Sequence, residues 1–346
     1  MVNRPILARY CMVLAAMAAP GLCLAQNYKD DDTSFSLRLP AALTRFSTYA
    51  DVAGVGGSSA GSKWLSSVNP ASTGWLADPN RTRKSLSAQY SGLCFSEGTK
   101  IHVSSGAGTL ETPDAGAFQP AFALARSNRE TTRDGLGFLY ELEHYQFQYG
   151  KRFGKGALGA AAIFSRAEAQ FDLMRRDLAS SVTETYGLRL GGLLEVREKL
   201  LTGLVFDYAV ARSRSTSYDV FGLGIGDMRE RDTSHQFVLR PGLTYEYLED
   251  SAVLFDYQFG AFCDGTGRLF VHRFSAGVDH RVVEGLFVRA GATFDARGEI
   301  AWTTGVGIYP NDWLTIDIAY QDRMFPELAR EFGASRTVTV SVSLAF

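Results

Sequence analysis

The chain has 346 residues, 46% of them hydrophobic, 12% aromatic and 21% charged, with 35 glycines and a formal net charge of -2. That near-neutral balance offers no basic surface of the kind nucleic-acid phosphates require. No run of about eighteen or more apolar residues follows the N-terminus, which excludes a bundle of membrane-spanning helices and leaves a single barrel domain open at this length.

Arg4 and Arg9 precede an apolar stretch over 11–20, and Cys23-Leu24-Ala25 supplies a small-residue cleavage site before Gln26. This is the layout of a secretory signal peptide over 1–25. Pro20-Gly21-Leu22 lacks the small residue expected just before a lipidated Cys23, so a lipoprotein anchor is discounted. Export would leave Cys94 and Cys263 where a disulfide is permitted, but two cysteines cannot staple a domain of this size. An acidic lead-in follows at 27–32. From 41 to 83 the chain turns to Gly, Ser, Ala and Asx-Pro pairs, with no sustained period of two or 3.6. The apolar members Phe46, Tyr49, Trp64, Leu65, Trp75 and Leu76 nevertheless need burial.

From Ser85 onward, period-two alternation predicts about fourteen strands, at 85–95, 99–109, 116–127, 136–150, 157–172, 182–197, 201–214, 234–248, 251–263, 268–281, 286–297, 299–310, 313–323 and 335–346. An even count puts both barrel ends on one side. Counting back from the C-terminus, tight turns are expected at 310–312, 283–285, 249–250, 198–199 and 154–156. Longer connections are expected on the opposite side at 324–334, 215–233, 173–181 and 128–134.

The last strand carries the signature most plainly. Val338, Val340, Val342, Leu344 and Phe346 share one parity, and Thr337, Thr339, Ser341, Ser343 and Ala345 the other. A free edge of this kind needs a partner, and ring closure on 85–95 supplies one. A charged side chain facing lipid near the midplane costs roughly 2–4 kcal/mol, so the charged parity faces the lumen. Arg240, Glu246, Asp256, Arg273, Arg289, Asp295 and Asp317 are accordingly the lumen-lining candidates. Pro241 interrupts its strand and predicts a bulge or kink. Trp313, Tyr309, Tyr245, Tyr247 and Phe346 lie near strand ends, where aromatic girdles sit.

Motifs for catalysis or cofactors fail on inspection. In 49–63, Ser62 intervenes between Gly61 and Lys63 where a phosphate loop needs Lys directly after Gly, and no apolar strand precedes it. Gly222, Gly224 and Gly226 precede no helix, so they make no dinucleotide fingerprint. His102, His144, His235, His272 and His280 lack metal-ligand spacing. His272 and His280 fall on the face opposite Ser275 and Asp279, against a hydrolytic site. No enzyme, metal or cofactor is expected.

The Gly-rich run 54–61, with Gly54, Gly56 and Gly57, is followed by Leu65-Ser-Ser-Val-Asn69-Pro70-Ala71. Here the sequence resembles the FadL-type outer-membrane long-chain fatty-acid and hydrocarbon transporters, in which such a segment lies in an N-terminal plug ahead of a fourteen-stranded barrel. The Asp-Asp-Ala common before Asn-Pro-Ala in that family is absent, and Gly61-Ser62-Lys63 stands in its neighbourhood. Such a ring is wider than side chains alone fill, and 41–83 is the right amount of chain to occlude it.

The expected fold is therefore all-β, an antiparallel transmembrane β-barrel of about fourteen strands with an N-terminal plug (hatch) segment. Residues 1–25 are the signal peptide, 26–83 the periplasmic or plug segment and 84–346 the barrel. The resemblance implies passive uptake of long-chain fatty acids or aromatic hydrocarbons across the outer membrane. Gly54, Gly56, Gly57, Asn69, Pro70 and Ala71 would form the plug motif, and Phe346 would be the signal read by the barrel-assembly machinery. Expected partners are outer-membrane lipid, a hydrophobic small molecule and that machinery, with no nucleic acid. A structural or secretion-accessory barrel with a protein partner and a general porin are the alternatives.

Overall fold

The computed structural model describes residues 50–346 apart from 64, 66, 67, 77–81, 129, 132–135, 174, 175, 219–227, 266 and 297. The expected signal peptide and acidic lead-in, with Phe46, Tyr49 and Trp64, lie outside the described residues. Two short helices come first, α1 (Ala50–Gly54) and α2 (Pro70–Leu76). Fourteen long strands follow: β1 (Arg83–Phe95), β2 (Lys100–Thr112), β3 (Gly116–Ser127), β4 (Leu136–Phe153), β5 (Gly156–Leu173), β6 (Arg176–Arg197) and β7 (Leu200–Ser217). The second half is β8 (Met228–Leu248), β9 (Ser251–Cys263), β10 (Arg268–Val283), β11 (Leu286–Asp295), β12 (Ile300–Asn311), β13 (Leu314–Asp322) and β14 (Ser335–Ala345). Each pairs antiparallel with its sequence neighbours, and β14 closes on β1 through the register Ser85↔Ala345 to Phe95↔Ser335. The result is a closed fourteen-strand barrel, with the two-residue strand Glu130–Thr131 folded back against β4.

All fourteen expected strands are present. The tight turns fall at one end, where Gly154, Lys199, Asp250 and Gly285 adopt positive φ of 57°, 69°, 55° and 75°. The predicted long connection at 173–181 is not one, because β6 begins at Arg176 and its register to β5 runs back to Leu173. Likewise β7 extends to Ser217 and β8 starts at Met228, with Ala179↔Ser217 and Ser217↔Met228 among the pairs. These extensions are rich in Ser, Thr and Arg, so they lack apolar alternation, yet the backbone ladder does not need it. β4 to β8 are consequently 18, 18, 22, 18 and 21 residues long. A tilted strand crosses a bilayer in about 9–11 residues, so this half of the wall projects well past the loop end of the apolar belt.

Facing follows the expected parity. In β14, Val338 and Leu344 are 49% and 40% exposed while Thr337 and Thr339 are 2% and 1% exposed. Leu86, Leu158, Leu190, Phe255, Phe294 and Ile318 continue the outward apolar surface around the ring. An apolar exterior of this extent suits lipid, not water. The outward imidazoles have tyrosine partners at one ring nitrogen: the hydroxyls of Tyr90, Tyr208, Tyr247 and Tyr257 lie 2.5, 3.0, 2.8 and 2.7 Å from Nδ1 of His102, His235, His280 and His272, while Nε2 of His272 is buried without a partner. Four of the five histidines thus have a tyrosine hydroxyl beside Nδ1.

Two of the expectations about particular residues need correction. Pro241 causes no register slip; it keeps its pairing to Leu204, and the ladder to β9 lapses between Gly242 and Leu239. A missing N–H removes a rung without forcing a bulge. Pro120 does the same, with the β2–β3 ladder interrupted between Ala107↔Ala121 and Leu110↔Phe118. Tyr309 is not part of a girdle: it shares parity with inward Thr303 and accepts a hydrogen bond from Arg289 Nη2 at 2.6 Å. Cys94 and Cys263 are both free thiols.

Candidate functional site

Residues 50–76 lie against the inward face of the wall, close to the short-turn end. The reason is legible in the wall itself, which turns glycines toward this inner segment. Gly150, Gly159, Gly191, Gly203, Gly242, Gly277 and Gly291 each sit where a Cβ would meet the segment or its carboxylate anchor at 2.6 Å or less, Gly203 excepted only in being tighter still, at 1.8 Å from the Ala60 carbonyl oxygen. Backbone thus packs on backbone. Gly203 is three residues from the end of β7 at Leu200, and Gly291 five from the start of β11 at Leu286, so the belt stays near that end.

Polar groups tie the segment down. Asp256 Oδ2 on β9 accepts the Ser59 and Ala60 N–H groups at 2.8 and 2.9 Å. Thr303 and Thr293 donate to the carbonyls of Gly54 and Gly56 at 2.9 and 3.0 Å. Gly56 and Gly57 have φ of 70° and 78°, a turn that few other residues tolerate. Lys63 pairs with Glu246 at 2.7 Å. Asn69 Nδ2 donates to the carbonyls of Ala60 and Gly192 at 2.7 and 3.1 Å, and its Oδ1 accepts from Ala71 N at 3.0 Å. It therefore closes the 60–69 loop, fastens it to β6 and caps α2 in one side chain. Pro70 occupies the first helical position, where its missing N–H costs nothing. Ala71 and Trp75 pack with Ala157, Leu193 and Leu201, and Arg152 lies over the Trp75 ring at 4.5 Å.

Beneath α1 lies a buried charge cluster. Arg289 is 2% exposed and donates from Nε to Asp279 at 3.1 Å and from Nη1 to Asp317 at 2.5 Å, besides its bond to Tyr309. A guanidinium this deep is tolerable only with such a full set of acceptors. In α1 itself, burial and then the Asp317 carboxylate push the Asp51 carboxyl up to about 7, against the pull of Arg289.

The opposite end of the barrel is filled by something the sequence reading did not anticipate. The β13–β14 connection forms a 3-10 turn, Pro326–Leu328, and a helix α3, Ala329–Phe332. It carries Met324, Phe325, Leu328 and Phe332 into a buried cluster with Leu93, Phe95, Phe138 and Tyr140. The Phe332 ring is 5.4 Å from Phe95 and 5.0 Å from Phe138. Glu327, 1% exposed, pairs with the buried Arg273 of β10. Asp295, another expected lumen residue, is buried opposite Arg273 in the β10–β11 register and accepts from Glu299 N at 3.1 Å. The spacing 324, 325, 328, 332 is that of a helix face, and this signal was available in the sequence.

Between the inner segment and this apolar lid lies a cavity of about 900 Å³, within the range of ligand sites. Val52 and Val68 line it from the segment, and Phe325 and Phe332 from the lid. Its wall on β1 to β5 is mostly apolar, as in Val103, Leu142, Ala167 and Phe171, and on β6 to β8 mostly polar, with hydroxyls and amides interleaved with charged side chains. Four arginines, Arg189, Arg231, Arg240 and Arg273, and four carboxylates, Asp207, Glu230, Asp232 and Asp256, line it, a net of zero. Arg189 Nε pairs with Asp207 at 2.5 Å and Arg240 donates to Gln258 at 2.7 Å. Among the described residues no cluster of His, Cys, Asp or Glu could hold a metal ion.

A closed, fourteen-strand, apolar-out barrel with a segment packed inside is a transmembrane β-barrel of the outer-membrane type. A scan against protein-family profiles finds no match, and neither does a search of curated proteins. Among solved structures the chain is similar to the CymD monoaromatic hydrocarbon channel, with TM-score 0.56 and 12% identity over 86% of this chain and 97% of that one. It is also similar to a TodX deltaS2S3 mutant monoaromatic hydrocarbon channel, at TM-score 0.55 and 12% identity over 86% and 97%. A Pseudomonas aeruginosa FadL homologue aligns at TM-score 0.51 and 11% identity over 90% and 96%. The fold is that of the FadL-type hydrocarbon channels.

Proposed function

We propose that this protein is an outer-membrane channel for passive uptake of hydrophobic small molecules, with residues 50–76 acting as its plug. The observation that carries this reading is the cavity held between a tightly fastened inner segment and an apolar lid. An open porin has no use for either, and a scaffold barrel has no use for a cavity walled by Leu93, Phe138 and Phe332. The likeness to hydrocarbon channels points the same way. Ligand would enter past the lid, whose cluster is apolar, and leave beside the plug or through the wall. The ladder gap opposite Pro120, where a small cleft is lined by both inward Gln89 and outward Phe122, favours the second exit. The plug is tested by deleting 41–83 and measuring entry of polar solutes and large antibiotics. Increased permeability is expected, and unchanged permeability would overturn the plug. Transport is tested separately by uptake of two radiolabelled hydrophobic small molecules, a hydrocarbon and an uncharged amphiphile, into liposomes holding the intact barrel. Uptake of neither faster than into empty liposomes would overturn the channel.

A further inference from the structure

We propose that the ligand carried by this cavity is an uncharged amphiphile with a hydroxyl-bearing head, not a bare hydrocarbon and not a carboxylate. The inference rests on the channel reading above and specifies what that channel takes.

The two halves of the cavity make different demands. The lid and β1 to β5 offer aromatic and aliphatic surface, which suits an alkyl or ring moiety at about 25 cal/mol per Å² buried. Across from it, Thr183 and Thr185 on β6, Ser213 and Ser215 on β7, and Ser234 and Gln236 on β8 present hydroxyls and an amide. Thr183 Oγ1 and Ser213 Oγ are 2.9 Å apart, a hydroxyl pair that can both donate and accept. A pure hydrocarbon spanning both halves would displace water from these groups and return no hydrogen bond, a cost per group that area burial on the other side only partly offsets.

A carboxylate fails for a different reason. The four lining arginines meet four lining carboxylates, and the three deepest cations are already engaged, Arg189 with Asp207, Arg240 with Gln258 and Arg273 with Glu327. Arg231, the fourth, lies exposed at the outer part of the wall, so an anion carried deeper, beside these three, would have to break an existing interaction or be desolvated without a counter-charge. An uncharged head bearing hydroxyls meets neither obstacle: it exchanges hydrogen bonds with groups that accept and donate alike, while its tail occupies the aromatic end.

The experiment compares three twelve-carbon probes, 1-monolaurin, laurate and dodecane, for retention by the purified full-length barrel in nanodiscs, with empty nanodiscs as the partition control. Monolaurin is expected to be retained at least about tenfold more tightly than either other probe, a difference of about 1.4 kcal/mol. Thr183→Val with Ser213→Ala, which keeps volume and removes the hydroxyl pair, should erase most of that preference. Asp207→Asn is the converse variant: by removing the carboxylate beside Arg189 it should raise laurate retention, a gain that misfolding cannot mimic. Laurate or dodecane bound by the unmodified barrel as tightly as monolaurin would overturn this inference and leave the channel standing. Retention of none of the three above the empty-disc level would overturn the channel reading and this one with it.

Discussion

Replacing Gly203 with valine is the most direct probe of how the inner segment is held. A Cβ at this position would lie 1.8 Å from the Ala60 carbonyl oxygen, 2.6 Å from its carbon and 2.8 Å from Gly61 Cα, all atoms of the segment and none of the wall. Restoring an ordinary contact near 3.4 Å requires the segment to retreat by about 1.6 Å at Ala60. That retreat carries Ser59 N and Ala60 N out of reach of Asp256, and Ala60 O away from Asn69, bonds now 2.8, 2.9 and 2.7 Å long. Two charge-assisted bonds at about 1.5–3 kcal/mol each and one neutral bond near 1 kcal/mol amount to a loss on the order of 4–7 kcal/mol in docking. Because the nearest atoms all belong to the segment, the barrel itself should assemble normally and still run as a heat-modifiable band. The assay is conductance in planar bilayers, paired with limited proteolysis of residues 50–76. Gly92→Val serves as control, since a Cβ there meets nothing within 4 Å. Higher conductance and faster cleavage in Gly203→Val alone are expected. A variant indistinguishable from the control on both readouts would refute the packing argument and the occluding role together.

Further outcomes follow from the same geometry. Arg289→Met leaves Asp279 and Asp317 without their shared cation and should destabilise the barrel by about 3–5 kcal/mol, read as a lower temperature for loss of the folded band; adding Asp317→Asn should recover part of it. Asp51 binds its proton more tightly in the docked segment than free, where its ordinary value is 3.8. Docking is therefore strongest at low pH, weakens as pH rises from about 4 to about 7, and is level above; protease protection of 50–76 that rises with pH over that window would contradict this. Phe346 exchanges backbone hydrogen bonds with Lys84 at 2.8 and 3.0 Å at the seam. Its deletion should reduce the amount of barrel inserted in the membrane more than transport per inserted barrel, and unaltered insertion would remove the assembly role.

Much of this architecture could be read from the chain alone. Strand existence, strand count and facing all follow from period-two alternation, because a barrel wall between lipid and a polar lumen imposes opposite chemistry on successive residues. Val338 to Leu344 and Arg289 to Asp295 carry that pattern without reference to any distant contact. The resemblance around Asn69-Pro70-Ala71 pointed to a segment inside the barrel, but not to the bonds that Asn69 makes there, since Ala60 and Gly192 are brought to it only by the closed ring.

What the tertiary structure alone decided are relations between residues far apart in sequence and silent by themselves. An inward glycine in a strand reads as a weak spot until the segment it admits is in place, so the belt from Gly150 to Gly291 had no meaning along the chain. The hydroxyl-rich extensions of β6 to β8 lack the apolar parity that marks a strand, because they rise past the lipid, and only their backbone register reveals them. Tyr309 looked like an interfacial aromatic, and it took Arg289 on the neighbouring strand β11 to hold it inward. The lid did announce its helical face at Phe325, Leu328 and Phe332. That this face folds into the mouth, and so bounds a cavity with the inner segment below, depends on Arg273 waiting on β10 for Glu327, a pairing no local pattern encodes.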